Sequence, residues 1–464
     1  MNTTLFSGIK PSSVIVIVTD YIAIIGAYFL CYYLVTHYLI SDDYLTIINQ
    51  WVQPIIFAIT ISIFILSVGL YNVKLRENFS GIVIRIFVCV LLAYIIDKVV
   101  YALTEINQPA HFAEYFSIFA FITLVCTRYL LSKTAYQSLG ERNILVLGTG
   151  ERAKVIEQYM RRKTDRIGLN FVGFIEMPGD AADGIKRERK LDLKESLETF
   201  ALKNHVDEIV VACDERRNVL PNESLAICKR QGINISNIVD FFEHETGQVV
   251  VTQVYPSWII YGPNHHYSPL HKSLDWLFNT CISLAIFSVV WPFMLLAMLA
   301  IKLEDGLRAP VFYSQIRVGL DGKLFSIYKF RSMSIDAEKD GAKWAQTSDP
   351  RVTKVGHFLR KYRIDELPQL FNVLRGDMGF VGPRPERPQF TKEFEIEIPY
   401  YNQRYSVRPG LTGWAQLKYP YGSSKQDAIE KLKYDLYYIK YRGFLFDLLI
   451  LLRTTEVVLF GKGR

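Results

Sequence analysis

Five apolar stretches constrain this chain more than any other feature. Four fall before residue 135: Ser13 to about Ile40, Trp51 to Tyr71, Gly81 to about Leu103, and Phe112 to Leu131. A helix of about 20 apolar residues spans a hydrocarbon core of about 30 Å, so each predicts a membrane helix. The first is too long for the apolar core of a signal peptide, and no small-residue cleavage site follows it. Half of the 464 residues are hydrophobic and 21% are charged, a balance that excludes intrinsic disorder and a freely soluble enzyme of this size. Cys31, Cys89, Cys126, Cys213, Cys228 and Cys281 form no C-x-x-C pair or metal-ligand spacing. All six are expected to be small core residues rather than disulfides or zinc ligands.

Basic residues orient the four helices. The first connection holds Asp42 and Asp43 and no Lys or Arg, whereas the second holds Lys74 and Arg76, with Arg85 just beyond. The third sets Glu105 and Glu114 against Lys98, and the fourth helix leads into Arg128, Lys133 and Arg142. Both the N-terminus and the chain after Lys133 are therefore expected in the cytoplasm.

From Glu141 to about Val239 the pattern becomes that of a soluble α/β unit. Asn143 to Leu147 reads as a buried strand, Gly148-Thr149-Gly150-Glu151-Arg152-Ala153 opens a helix, and strands follow at Phe171 to Ile175, Glu208 to Ala212 and Ile233 to Ile238. Strands alternating with helices predict a parallel, doubly wound sheet. Gly148, Gly150 and Ala153 fit a dinucleotide fingerprint, with Glu176 placed for a ribose hydroxyl. The same glycines also serve a Rossmann-like unit that needs only a tight turn. Tyr159 and Lys163 form a Y-x-x-x-K on the first helix, too early for a dehydrogenase site.

The fifth apolar stretch, Leu274 to Ile301, carries Asp275 as its only charge and Pro292 near its middle. Proline removes a helix hydrogen bond and bends the helix. From Lys302 onward the chain has 28 Lys and Arg against 19 Asp and Glu, a balance suited to the cytoplasmic face of anionic lipid. A re-entrant helix that bends near Trp291 and Pro292 is expected over an ordinary span.

Three clusters beyond it carry chemistry. The first runs Gln315-Ile316-Arg317-Val318-Gly319 and then Tyr328-Lys329-Phe330-Arg331-Ser332-Met333. The second runs from Leu359 to Gln369 and includes Arg360, Lys361, Arg363, Asp365, Glu366 and Pro368. The third, Gly376 to Glu386, includes Gly382-Pro383-Arg384-Pro385. Asp365 is placed as an N-cap, because Leu367, Leu370, Phe371 and Leu374 follow at helical spacing. An ionised Asp among cations can attack phosphorus, an adjacent Glu can hold Mg²⁺, and arginines grip phosphate oxygens. An Asp-Glu pair is equally at home as a solvated cap, and Gly-Pro-Arg-Pro as a rigid loop.

From about His271 onward the chain resembles the bacterial sugar transferases, the monotopic polyprenyl-phosphate phosphoglycosyl transferases. The resemblance rests on Lys329-Phe330-Arg331-Ser332-Met333, Arg363-Ile364-Asp365-Glu366-Leu367-Pro368-Gln369, Gly382-Pro383-Arg384-Pro385 and Arg408-Pro409-Gly410-Leu411-Thr412-Gly413-Trp414-Ala415-Gln416. It implies the large-member layout: a four-helix transmembrane region over 1–135, a Rossmann-like domain over 136–262, and a transferase domain over 263–464 with the re-entrant helix at 274–301. It further implies that Asp365 attacks the β-phosphorus of a UDP-sugar, releasing UMP, and that undecaprenyl phosphate takes up the sugar phosphate. Glu366 is then the second acid, and both acids are the implied Mg²⁺ ligands. Arg384 and Pro383 belong to the loop facing the nucleotide or phosphates, and Lys329, Arg331, Arg363 and Arg317 to the basic side of the site.

Glucose is the sugar expected from that layout, with galactose next and an acetamido sugar third. The implied setting is the bacterial inner membrane, in exopolysaccharide or capsule synthesis. Membrane lipids join the two substrates as partners, nucleic acid does not, and a homodimer through the membrane or middle domain fits the layout. The rival classes are a membrane-anchored nucleotide-sugar oxidoreductase and an inert assembly scaffold. Tyr434, Tyr437, Tyr438 and Tyr441 recur at helical spacing beside Lys433, Lys440 and Arg442, which suggests a helix at the membrane interface, with core packing as the alternative. His265 and His266 read as loop surface.

Overall fold

The computed structural model describes residues 11–34, 52–67, 70–71, 79–104, 112–133, 141–160, 166, 168–181, 184–215, 219–251, 269–337, 349–419, 422 and 424–459. Asp42, Asp43, Lys74, Arg76 and Glu105, on which much of the expected orientation rests, lie outside these residues, as do Lys163, His265 and His266. The chain divides into two compact units, 1–241 and 242–464.

In the first unit α1 (Pro11–Leu34), α2 (Val52–Ser67), α3 (Phe79–Thr104) and α4 (Phe112–Lys133) each pack on their chain neighbours, and α1 closes the ring on α4. Arg128 does not sit at the cytoplasmic flank as a free cation: it is buried and paired at 2.5 Å with the fully buried Asp20 of α1. Four helices are long and apolar enough to cross a membrane, within Val16–Leu34, Phe79–Val100, Phe112–Leu131 and Ser273–Asp305, while the apolar part of α2, Ile55–Leu66, is shorter. Cys31, Cys89, Cys213 and Cys228 are buried as expected, but Cys126 and Cys281 are exposed. Both of these lie on long apolar helices, where an outward-facing thiol is as compatible with lipid as with a core.

The same unit holds a parallel sheet of order β3-β2-β1-β4-β5, formed by β1 (Arg142–Leu147), β2 (Leu169–Ile175), β3 (Lys190–Leu191), β4 (Glu208–Val211) and β5 (Asn234–Asn237). Leu145, Leu147, Ile209 and Val211 are buried in its centre, which is why β1 and β4 read as unbroken apolar runs. The two-residue β3 has no such run and went unread. α5 (Glu151–Tyr159) follows β1, and α6 (Leu197–Lys203) and α7 (Asn222–Arg230) follow further along. α8 (Ile238–Thr246) spans the division between the units.

The second unit is organised around α9 (Pro269–Asp305), assigned as one continuous 37-residue helix with Pro292 inside it. The helix runs unbroken through Trp291 and Pro292. Met294, Ala297 and Ile301, on one face of its second half, bury against Phe330 and Leu359. Ile282, Ile286, Phe287 and Val290 of its first half pack on a larger core that includes Leu370, Val373 and Phe380. Asp275, near its start, is paired: it meets Arg442 at 3.0 Å and Arg408 at 3.6 Å. At the far end Asp305 pairs with Arg331 at 2.5 Å.

β6 (Phe312–Val318) and β7 (Leu324–Phe330) form an antiparallel hairpin in which Tyr313 stands opposite Lys329. Beyond it come α10 (Lys354–Lys361), α11 (Leu370–Arg375), β8 (Gly379–Val381), α12 (Pro388–Glu397), β9 (Gly410–Thr412), α13 (Trp414–Lys418), α14 (Lys425–Tyr441) and α15 (Phe444–Leu459). The tyrosines of α14 belong to the core rather than to a membrane interface. Tyr438 is fully buried and donates to Asp447 at 2.8 Å, while Tyr437 packs in the same cluster as Trp414. Tyr441 and Lys440 both reach Glu243, and Trp414 donates its ring N–H to Gly247 O at 2.7 Å. Residues 242–251 are thus built into the second unit.

Candidate active site

Strand alternation explains the Lys-Phe-Arg run. Phe330 turns into the core beneath α9, so Lys329 and Arg331 turn to the other face. That face looks into a cavity of about 880 Å³ whose lining carries ten Lys and Arg side chains against Asp349, Asp365, Glu366 and Glu386. Such a surplus suits a ligand with several negative charges.

Asp365 and Glu366 lie in a short 3₁₀ helix, Ile364–Gln369. Asp365 is not its N-cap: that position belongs to Arg363, held left-handed at φ 54°. A left-handed residue with a bulky side chain costs roughly 1 kcal/mol or more, and here it sets the acid pair in the first turn. Pro368 lies inside this short helix rather than in its first turn, and contributes no amide donor there. Asn372, fully buried on α11, secures this segment against the hairpin. It donates to Ser326 O at 2.8 Å and accepts from Tyr328 N at 3.1 Å.

The two acids differ sharply. Glu366 gathers cations: Lys329 Nζ and Arg384 Nη2 both donate to its Oε1 at 2.8 Å, and Arg363 approaches Oε2 at 3.4 Å. Burial opposes its ionisation, but Lys329, Arg384 and Arg363 outweigh burial and hold the carboxyl well below the ordinary range. Asp365 is also buried, yet its carboxylate has no hydrogen-bond donor among the described residues. Burial first, and then the Glu366 charge, push its carboxyl up to about 6, against the pull of Lys329, Arg360 and Arg384. One carboxylate is charged and occupied; its neighbour is buried and accepts no hydrogen bond from the described residues.

The remaining expected residues divide. Arg363 and Arg384 join the acid pair directly. Arg331 lines the cavity but spends a hydrogen bond on Asp305. Arg317 also lines it, though its guanidinium is turned to the chain: it donates to Pro385 O at 3.0 Å and Gln315 Oε1 at 2.6 Å. Pro383 is not among the lining residues; it is buried, and its carbonyl accepts from Gly410 N at 3.0 Å. Pro292 lies in α9 and is not a lining residue either.

Arg360, which belongs to the second sequence cluster, lines the cavity as well. Two lining residues outside the sequence clusters, Arg387 and Lys431, were not expected. Lys431 was findable, because Asp427, Lys431 and Asp435 recur every four residues on one helix face. Arg404 had no local signal. It is buried, pairs with Asp435 at 2.9 Å and donates to Arg384 O at 3.0 Å. With Arg317 on Pro385 O and Val318 N on Glu386 O, three successive carbonyls of the Arg384 loop are fixed.

Among the described residues no group of three or more His, Cys, Asp and Glu side chains converges for a metal. A magnesium ion nevertheless fits the donor set, since it keeps several waters and needs only one or two carboxylates beside substrate phosphates. The open Asp365 carboxylate and the unused lone-pair directions of Glu366 meet that need.

Residues 270–461 match the bacterial sugar transferase family, and residues 67–235 match the CoA-binding domain family. The chain is 41% identical over 240 residues to the UDP-N-acetylgalactosamine-undecaprenyl-phosphate N-acetylgalactosaminephosphotransferase of Aeromonas hydrophila, an alignment covering 52% of this chain and 55% of that protein. It is 30% identical over 360 residues to the UDP-glucose:undecaprenyl-phosphate glucose-1-phosphate transferase of Xanthomonas campestris pv. campestris, covering 74% and 72%. A transferase of the same name from Caulobacter vibrioides is 44% identical over 170 residues, covering 36% and 63%. The chain therefore spans a little over half of the first relative's length and nearly three quarters of the second's.

Proposed function

The chain belongs to the bacterial sugar transferase family, and on that premise we propose that it moves a hexose-1-phosphate from a UDP-sugar to undecaprenyl phosphate, releasing UMP. The reading places it at the opening membrane step of exopolysaccharide or capsule synthesis. The observation that carries it is the open, buried Asp365 carboxylate beside a Glu366 already neutralised by Lys329 and Arg384.

In the first step an Asp365 oxygen attacks the β-phosphorus. A bond forms from phosphorus to the aspartate as the bond to the bridging oxygen breaks, and that oxygen leaves with UMP. In the second step a phosphate oxygen of undecaprenyl phosphate attacks the same phosphorus, and the aspartate leaves as carboxylate. Lys329, Arg384, Arg360 and Arg363 would stabilise charge on the phosphoryl oxygens through both steps. Magnesium, held by Asp365 and Glu366, would supply further charge neutralisation. Glucose is the first reading for the sugar, supported by the relatives from Xanthomonas and Caulobacter. An acetamido sugar is the second, supported by the Aeromonas relative.

Pro292 inside α9 and the basic balance of the chain from Lys302 onward support a re-entrant placement, in which α9 enters from the cytoplasmic face and returns to it. The exposed Leu284, Val289, Trp291, Phe293, Leu296 and Leu299 then provide the lipid-facing side. The catalytic face is proposed to look into the cytoplasm at the inner membrane.

The deciding experiment uses the full chain in detergent with Mg²⁺ and a panel of UDP-glucose, UDP-galactose and the two UDP-acetamido sugars. Without lipid, the preferred sugar should give a burst of about one UMP per chain, and undecaprenyl phosphate should convert it to turnover. Turnover with lipid but no burst without it would remove the covalent step. Silence with every sugar would move the protein to the scaffold class.

The burst should also depend on pH. The ionised Asp365 is the attacking form and its carboxyl is pushed up to about 6, so activity is lost as pH falls through that value. The second-order rate should drop about tenfold per unit below it and be level above it. The value of about 6 belongs to Asp365 without a bound cation; an acid limb moved down to the ordinary carboxylate value near 4 would place a bound cation on that carboxylate.

A further inference from the structure

We infer that the glycine turn of the middle sheet is closed to coenzyme A and to dinucleotides, because the chain's own Asp214 already fills the position of a phosphate there. A parallel sheet of this order binds ligands outside the carboxyl ends of its strands, where the strand order reverses between β1 and β4. The match of residues 67–235 to the CoA-binding domain family points to that crevice as well. In a nucleotide-binding version, the free amides that open the first helix hold the phosphate.

Here those amides are taken. Asp214, just beyond β4, accepts from Glu151 N at 3.0 Å and Arg152 N at 2.9 Å, the first two amides of α5. It also accepts from Ala181 N at 3.3 Å. Asp180, just beyond β2, accepts from Thr149 N at 2.7 Å, Met177 N at 3.0 Å and Asp214 N at 3.1 Å. Two carboxylates thus sit where a phosphate would bring a third negative charge.

The glycines fit this closure. A Cβ on Gly150 would lie 1.9 Å from Asp214 Oδ2, so the residue is bare to admit the carboxylate. A Cβ on Gly184 would lie 1.9 Å from Thr149 O, and the next amide, Ile185 N, donates to that same carbonyl at 2.9 Å. The segment carrying Gly184 is therefore laid directly over the turn. Glu176, the residue matched to a ribose hydroxyl, is paired instead with Lys190 of β3 at 3.4 Å.

Equilibrium dialysis of the full chain in detergent against radiolabelled coenzyme A, and separately against NADH, tests the inference. Neither should be retained saturably by the wild type; saturable retention near one per chain would overturn it. Melting with added inorganic phosphate provides an arm that separates the two sites. Phosphate bound at the transferase cavity should raise the melting temperature of wild type and variant equally. In Asp214→Ala the amides of Glu151 and Arg152 are released, so the variant should melt lower and gain more from phosphate than the wild type. An equal gain in both, or an unchanged melting temperature, would show that Asp214 is not the occupant of an anion site. The dialysis result stands even if that variant does not fold.

Discussion

Replacing Asp365 with Asn should reduce UMP release by about 10³-fold or more, the scale expected when a covalent nucleophile is removed. The substitution is well isolated from folding. Asn has nearly the volume of Asp, the residue is only 8% exposed, and among the described residues no donor depends on its charge. The charge is in fact unfavourable in place, because burial and Glu366 both oppose it. The variant should therefore melt at the wild-type temperature or above while losing the burst, a combination that a merely structural role cannot produce. A burst of normal size from Asp365→Asn would remove the residue from the chemistry.

Arg404→Met should produce the largest loss of stability, about 3–5 kcal/mol, as expected when one partner of a buried ion pair is deleted. Arg404 and Asp435 are 6% and 2% exposed, so solvent screening is slight. The deletion strands Asp435 in the core and frees the carbonyl of Arg384. Burial already pushes the Asp435 carboxyl up to about 6 with the guanidinium present, and without it the carboxyl rises further. An acid with a raised folded value weakens the fold as pH climbs above the unfolded value near 4. The deficit should accordingly shrink as pH is lowered toward 4, measured by denaturant unfolding across pH. A deficit independent of pH would mean that lost packing, not the stranded carboxylate, is responsible. Activity should fall as well, because Arg384 reaches Glu366 from a loop that Arg404 holds.

Much of this was legible in the residues, for physical reasons. Long apolar runs and central parallel strands announce themselves because every position in them is buried, as at Leu145 and Ile209. The acid pair and its cations were legible because Lys329, Arg363, Asp365, Glu366 and Arg384 fall in short runs dense in turn formers and charge. What failed was direction. Arg317 and Arg384 look alike in sequence, yet Arg317 bonds the loop backbone and approaches Glu386 at 3.7 Å, whereas Arg384 meets Glu366 of the acid pair at 2.8 Å. The glycines around Gly150 fit a phosphate fingerprint, but Asp214, 64 residues away, decides what lies against them. The tyrosines of α14 carried an amphipathic signature that a core satisfies as well as a membrane surface does. Arg404 was illegible, since its partners Arg384 and Asp435 are 20 and 31 residues distant.

The residues just after the division at 241/242 bear on how the protein can be dissected. Glu243 takes hydrogen bonds from both Lys440 and Tyr441, Gly247 O receives the Trp414 ring N–H, and Val249 N is bonded to Lys433 O. This short stretch runs along α14 like a hem stitched to the catalytic body. A transferase fragment trimmed to begin at 263, the domain boundary expected from sequence, would leave Lys440, Tyr441 and Trp414 without those partners. The natural place to cut lies upstream of Glu243, so the smallest self-sufficient piece of this enzyme is longer than its recognisable motifs suggest.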